Sequence, residues 1–181
     1  MQEEYLADAH LDRGLKGVVA RALLKRVRDW DRTTAARVDH FVANSSFVAW
    51  RIREFYGRDA KIVHPPVRLP EMQARADTSR GDYFVTASRL VPYKRIDLLI
   101  EATRLTGDRL VVFGAGPDLS RLEALAGSHV ELRGHRPTAE INATISGARA
   151  FLTAAKEDFG IAPVEALAMG TPVIAFGASG S

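Results

Sequence analysis

Two glutamates, Glu157 and Glu165, stand eight positions apart in KEDFGIAPVEALAMGTPVIAF, with a glycine and a proline between them. Pro163 fixes a helical φ and suits a first turn, so Glu165 is expected in that turn, near the positive end of the helix dipole. A carboxylate there compensates the dipole, and it can also accept from two adjacent hydroxyls, as a ribose presents them. Glu157 falls before the helix, off a strand end. It can accept from sugar hydroxyls and stabilise positive charge at an oxocarbenium-like centre. Between the two acids, the amides of Phe159, Gly160 and Ile161 are open to a phosphate or a sugar, and Gly160 carries no side chain to obstruct them. A single ligand with a sugar, a diphosphate and a ribose in a row explains the spacing.

Such a ligand needs cations. Arg89 and Lys94 lie in SRLVPYK, placed in the loop after a strand and at the start of the next helix. Two cations and helix-start amides make an anion site and can compensate a departing diphosphate. As a lone pair they would read as solvated surface charges; their place on a strand-end rim favours the phosphate reading. Divalent metal is the other common solution, but the rim loops offer no Asp-x-Asp pair or histidine cluster, so neither metal nor cofactor is expected. VFGAGPDL holds two glycines of a dinucleotide fingerprint, with Leu119 in the third place, and the following VELRG ends in Arg133 where an acid would be needed. A nicotinamide enzyme fits poorly. Gly114 still permits close backbone approach to a nucleotide sugar. His135, with Arg133 nearby, is the candidate for a base pocket, against an equally weighted surface placement. His64, ahead of two prolines, reads as structural.

The elements that must hold these residues alternate. From Asp82 onward, YFVTAS, RLVVFG, VELRG, ARAFLTA and TPVIAF read as strands, and KRIDLLIEATRL, DLSRLEALA, TAEINATISG and APVEALAMG as helices, with Thr138 as a cap. This is the pattern of an α/β, Rossmann-like parallel sheet covered by helices on both faces. Open parallel sheets bind ligands beyond the carboxyl ends of their strands, the rim that carries the residues above. Ahead of it, residues 67–80 read as an interdomain linker. Residues 1–66 read as the last elements of another domain: a helix whose stripe of Leu15, Val18, Val19, Ala22, Leu23, Val27 and Trp30 faces a core, a strand at Phe41–Ala43, a helix capped by Ser45 or Ser46 and closed by Gly57, and a second short strand. Residues 81–181 are expected to form an incomplete nucleotide-sugar-binding domain, the whole being truncated at both ends.

The bulk numbers agree. The 181 residues are 46% hydrophobic and 26% charged, an ordinary globular composition. With no cysteine there is neither disulfide nor thiolate metal site. No run of eighteen apolar residues appears, and the acidic MQEEYLADAH is no export signal, so a cytoplasmic location is the default. Net charge is +3, concentrated at Arg13, Lys16, Arg21, Lys25, Arg26, Arg28, Arg32 and Arg37. A solvated face is the first reading of that cluster, and peripheral contact with the inner face of a membrane the second. Nucleic acid is excluded by the lack of interleaved aromatics.

SRLVPYKRIDLLIEA and EDFGIAPVEALAMGTPVIA together resemble the retaining GT-B glycosyltransferases of family 4 (group 1), whose Glu-x7-Glu motif corresponds to Glu157 and Glu165. VDHFVANSSFVAWRIREFYGRDAKIVHPPV resembles the stretch closing their N-terminal domain. The resemblance implies that Arg89 and Lys94 hold a donor diphosphate, Glu165 binds ribose, and Glu157 contacts the transferred sugar beside the Phe159–Gly160–Ile161 backbone. It implies metal-independent transfer with retention to a glycan or lipid-linked acceptor, in which the leaving diphosphate helps deprotonate that acceptor. The strings are most similar to bacterial mannosyltransferases using GDP-mannose, with a UDP-sugar as the other donor. The family's acceptor domain is absent apart from its last elements, so this polypeptide is expected to bind donor weakly and transfer little or nothing. A non-catalytic nucleotide-binding module is the competing class, and a GT-B-like sugar epimerase, which would need further acid–base residues, a third.

Overall fold

The computed structural model describes residues 14–67 and 80–177. All but the two ends of the expected linker, the acidic N-terminal segment and the last four residues lie outside the described residues. The described residues form two compact units, divided between Val63 and His64.

The first unit contains α1 (Gly14–Ala35), β1 (Phe41–Ala43), α2 (Ser46–Tyr56) and β2 (Ala60–Ile62). The two strands pair in parallel, Phe41 opposite Ala60. As expected, Ser45 caps α2, its hydroxyl accepting from the Val48 amide at 3.1 Å, and Gly57 closes the helix at φ 63°. Phe41 stacks on Tyr56, whose hydroxyl donates to Asp31 at 2.7 Å. That hydrogen bond to a carboxylate, with burial, raises the Tyr56 pKa. Asp31 belongs to the chain's Asp-x-Asp sequence, Asp29 to Asp31, which sits inside α1 and away from any strand end.

The apolar stripe of α1 does not face a core. Val18, Val19, Leu23, Val27 and Trp30 are exposed, Trp30 by 65%. Gly17 is buried and Ala20, Leu24, Asp31, Thr34 and Ala35 are half-buried, on an arc of the helix that adjoins the stripe. The periodicity identified the helix, but the face that packs within this unit is the one that lets Asp31 reach Tyr56.

The second unit is a five-stranded, fully parallel sheet in the order β5-β4-β3-β6-β7. Its strands are β3 (Phe84–Ala87), β4 (Leu110–Phe113), β5 (Val130–Gly134), β6 (Ala150–Thr153) and β7 (Val173–Ala175). Its helices are α3 (Ile96–Thr106), α4 (Leu119–Leu125), α5 (Thr138–Gly147) and α6 (Ile161–Ala168), with a 3₁₀ turn at Pro92–Lys94. Strand β4 shows why both faces are covered. Leu110 and Val112 pack with Leu99, Ile100 and Leu122 of α3 and α4. Val111 and Phe113 pack with Ile145 and Ala166 of α5 and α6. A strand apolar on both sides can only be central, because each buried large side chain contributes about 1.5–3 kcal/mol.

Three local expectations change. Thr138 is the first residue of α5 rather than its cap; Pro137 holds the cap position without a side-chain bond. Lys94 is not at the start of α3 but in the separate 3₁₀ turn before it. Glu165 is the fifth residue of α6, one turn in, because the helix begins at Ile161, two residues ahead of Pro163.

Candidate functional site

Strand β3 lies in the middle of the sheet. From it the chain moves outward through β4 to β5, then crosses back to β6 and β7 on the other side. The loops after β3 and β6 therefore run to opposite sides and leave a crevice at their carboxyl ends. The candidate residues of SRLVPYK and KEDFG occupy these two loops.

Lys94 and Glu157 meet there. Lys94 Nζ donates to Glu157 Oε1 at 2.5 Å, with the side chains 17% and 20% exposed. Two charges so close attract strongly but also lose hydration, so the pair fixes position more than it adds net stability. The local backbone presents Lys94. After the 3₁₀ turn, Arg95 takes the left-handed conformation, φ 52° and ψ 42°, the only described residue other than glycine with positive φ. That conformation costs an L-residue about 1–2 kcal/mol. It turns the chain between Lys94 and α3, while Arg95 Nε donates to Asp97 Oδ1 at 3.2 Å.

Beyond Glu157 the chain turns into α6 through Gly160, buried and left-handed at φ 81°. Glycine takes this conformation without a Cβ penalty. The amides of Phe159, Gly160 and Ile161 donate to no acceptor among the described residues. Pro163 brings no N–H, so the donors left at this helix start lie before it. The ring of Phe159 stacks on His64, centroids 5.6 Å apart. His64, expected as structural from the two prolines that follow it, carries no sequence signal for this contact. Glu165 is half-buried on α6, and its carboxylate makes no hydrogen bond or ion pair among the described residues.

A second feature adjoins the same rim. A pocket of about 340 Å³ opens at the ends of β3 and β4, lined by Ser88, Arg89, Phe113, Gly114, His135 and Ile141 among others. The structure thus brings Arg89, Gly114 and His135 together, and Lys94 with Glu157. Arg89 and His135 are exposed, and their side chains make no hydrogen bond or ion pair among the described residues. Arg133 does not line this pocket. It donates to Glu131 at 2.9 and 3.1 Å and to Thr144 at 3.3 Å, and lies over the Phe113 ring. These hydrogen bonds lower the Glu131 pKa and raise that of Arg133. Gly114 comes close to protein backbone: a Cβ there would lie 1.8 Å from the Ser88 carbonyl oxygen. Ser88, Phe113 and Ile141 were not singled out by sequence; Phe113, ending a fully buried strand, carried the one usable signal.

Among the described residues, no three histidine or acidic side chains cluster as metal ligands would. None of the helices described is long and apolar enough to cross a membrane.

Comparison with known proteins places this geometry. Residues 70–181, more than half of the chain, match the family model described as Glycosyl transferases group 1. The UDP-N-acetylglucosamine–peptide N-acetylglucosaminyltransferase GtfA subunit of Streptococcus gordonii is 29% identical over 164 residues, covering 82% of this chain and 32% of that protein. A GDP-mannose-dependent alpha-(1-6)-phosphatidylinositol monomannoside mannosyltransferase of Mycobacterium tuberculosis is 32% identical over 193 residues, covering 90% of this chain and 48% of the relative. A mutant of S. aureus TarM, solved with Fondaparinux, alpha-GlcNAc-glycerol and UDP, superposes with a TM-score of 0.70 at 19% identity, covering 83% of this chain and 32% of TarM. The chain thus spans a third to a half of the length of these relatives, and its parallel α/β sheet is that of the GT-B glycosyltransferases. On the family match, this chain belongs to the group 1 glycosyl transferases.

Proposed function

We propose that these residues form the donor site of a glycosyltransferase that moves a sugar from a nucleotide diphosphate to a glycan or lipid-linked acceptor with retention of configuration. The observation that carries this reading is the Lys94–Glu157 pair at the point where the strand order reverses, flanked by the open amides of Phe159–Ile161. In this reading the nucleoside lies towards the Arg89–His135 pocket, and Glu165 takes the ribose hydroxyls. The diphosphate lies against Arg89, Lys94 and the amides that open α6, which take the place a metal would have. Glu157 accepts from the transferred sugar. As the bond from the anomeric carbon to the diphosphate oxygen breaks, the bonding electrons stay on that oxygen, where the cations stabilise them. The acceptor hydroxyl forms the new bond on the same face, and its proton passes to the departing phosphate.

Mannose from GDP-mannose is the proposed donor, on the 32% identity to the mannosyltransferase. A UDP-sugar is the second candidate, on the similarity to GtfA. Because the chain spans less than half of the length of these curated relatives, donor binding is proposed for these 181 residues and transfer for the whole protein. Cytoplasmic residence, with α1 as a peripheral membrane contact, belongs to the same proposal.

Thermal shift with GDP, UDP, GDP-mannose and UDP-N-acetylglucosamine tests it. A ligand at a hundredfold excess over its Kd adds about 2.7 kcal/mol of stability. Arg89→Ala and Lys94→Met should each cut that stabilisation to about half or less. Arg104→Ala, on α3 and paired with Glu101, should leave it intact. No shift with any of the four, or one that survives loss of both cations, contradicts the reading.

A further inference from the structure

The geometry points to Gly116 as a positioning residue for Arg89: the GAGPD loop is a template that holds the arginine's backbone in place and is not itself a phosphate-binding glycine loop. This rests on the reading of Arg89 as a diphosphate ligand.

The loops after β3 and β4 continue the sheet's pairing past both strands. Ser88 N–H donates to the Phe113 carbonyl at 3.1 Å, Leu90 N–H to Ala115 at 3.0 Å, and Asp118 N–H to Leu90 at 3.2 Å. Arg89 is the residue between two pinned neighbours. Leu90 cannot shift outward, because its side chain is buried in the core with Ile96, Leu99 and Leu122. The far side is closed by two glycines. A Cβ on Gly114 would lie 1.8 Å from the Ser88 oxygen, and one on Gly116 would lie 2.1 Å from the Leu90 oxygen and 2.9 Å from the Leu90 nitrogen. These neighbours are backbone atoms, so no side chain can swing aside. Asp118 fastens the far end of the loop: it is buried, and Arg121 donates to its two oxygens at 2.7 and 2.8 Å. The glycines that resemble a dinucleotide fingerprint are therefore explained by the approach of one protein loop to another. Any residue at 116 with a Cβ must push Leu90 away and carry Arg89 with it.

The test is a double-mutant cycle read by titration with GDP and UDP. Arg89→Ala and Gly116→Ala should each weaken diphosphate binding about tenfold or more. The double variant should bind no worse than either, since both remove the same contact. Gly107→Ala strains a left-handed cap at φ 75° at the far end of α3; it should lower the melting temperature and leave the affinity unchanged. Additive losses, or Gly116→Ala binding like the unaltered chain, overturn the inference. If Arg89→Ala binds as well as the unaltered chain, the functional reading fails instead. Amide hydrogen exchange tests the loop template without nucleotide or variant: the Leu90 and Asp118 amides should open with the same free energy, and clearly different opening free energies overturn it.

Discussion

Lys94 and Glu157, expected from sequence at adjacent parts of one ligand, its diphosphate and its sugar, are bonded to one another at 2.5 Å across the crevice between the β3 and β6 loops. The cation expected to hold a diphosphate and the acid expected to hold a sugar are bonded to each other. On the proposed function, donor binding is an exchange, in which Lys94 turns from carboxylate to phosphate and Glu157 from ammonium to sugar hydroxyl. Such an exchange keeps both charges compensated throughout, and it makes separate predictions for the two residues.

Replacing Glu157 with glutamine should release Lys94. Affinity for GDP or UDP should then stay level or rise, while the contact to the donor's sugar is lost. Titration with nucleotide and with nucleotide sugar checks this: the variant should lose its preference for the sugar-bearing ligand. A fall in plain nucleotide affinity would show that Glu157 supports diphosphate binding directly.

Replacing Lys94 with methionine should act in the other direction. The mostly buried Glu157 loses its cationic partner, which costs about 1–3 kcal/mol of folding stability. Nucleoside diphosphate affinity should also fall tenfold or more, by the loss of a charge-assisted contact. Denaturant unfolding and titration measure the two effects independently.

Thr171 offers a test of the core that leaves the site alone. It is fully buried, and its hydroxyl donates to the Ile145 carbonyl at 2.8 Å. Thr171→Val removes that bond, leaving the carbonyl only the Ala148 amide at 3.0 Å, and should cost about 0.5–1.5 kcal/mol, whereas Thr171→Ser, which keeps the donor, should cost less. Urea unfolding distinguishes them, and nucleotide binding should persist in both.

The Glu131–Arg133 pair sets a pH dependence. Its hydrogen bond lowers the Glu131 pKa in the folded state. The stability it contributes is present above the ordinary carboxylate pKa and is lost as pH falls through the lowered, folded value. Glu131 is 51% exposed, so solvent screens the pair and the contribution is about 0.2–1 kcal/mol. Unfolding curves of the unaltered chain and Glu131→Gln should differ by that margin near neutrality and converge in acid. A gap that persists in acid would assign the effect to packing.

Sheet and helices were legible because periodicity records burial directly. β4 and β5 fall where VVF and VELRG place them, and Ser45 and Gly57 cap α2 because side-chain oxygens and left-handed glycines are local signals. The placement of the candidate residues at strand ends was legible for the same reason. Their pairing was not. Nothing in a linear string says that Lys94 reaches Glu157 or that Phe159 stacks on His64, since each depends on loop geometry beyond the strands. The α1 stripe misled because periodicity identifies an apolar face without saying what covers it. Gly114 and Gly116 matched a ligand-binding pattern because close approach to a phosphate and close approach to another loop make the same demand, the absence of a Cβ.

The central claim is that side-chain cations and the start of α6 together hold a diphosphate at the crest of the sheet. A crystal structure of the chain with bound GDP or UDP tests it most directly. The account predicts the β-phosphate within hydrogen-bonding distance of Arg89, of Lys94 released from Glu157, and of the Gly160 or Ile161 amide. A nucleotide bound elsewhere, or one seated here with Lys94 still bonded to Glu157, would contradict it.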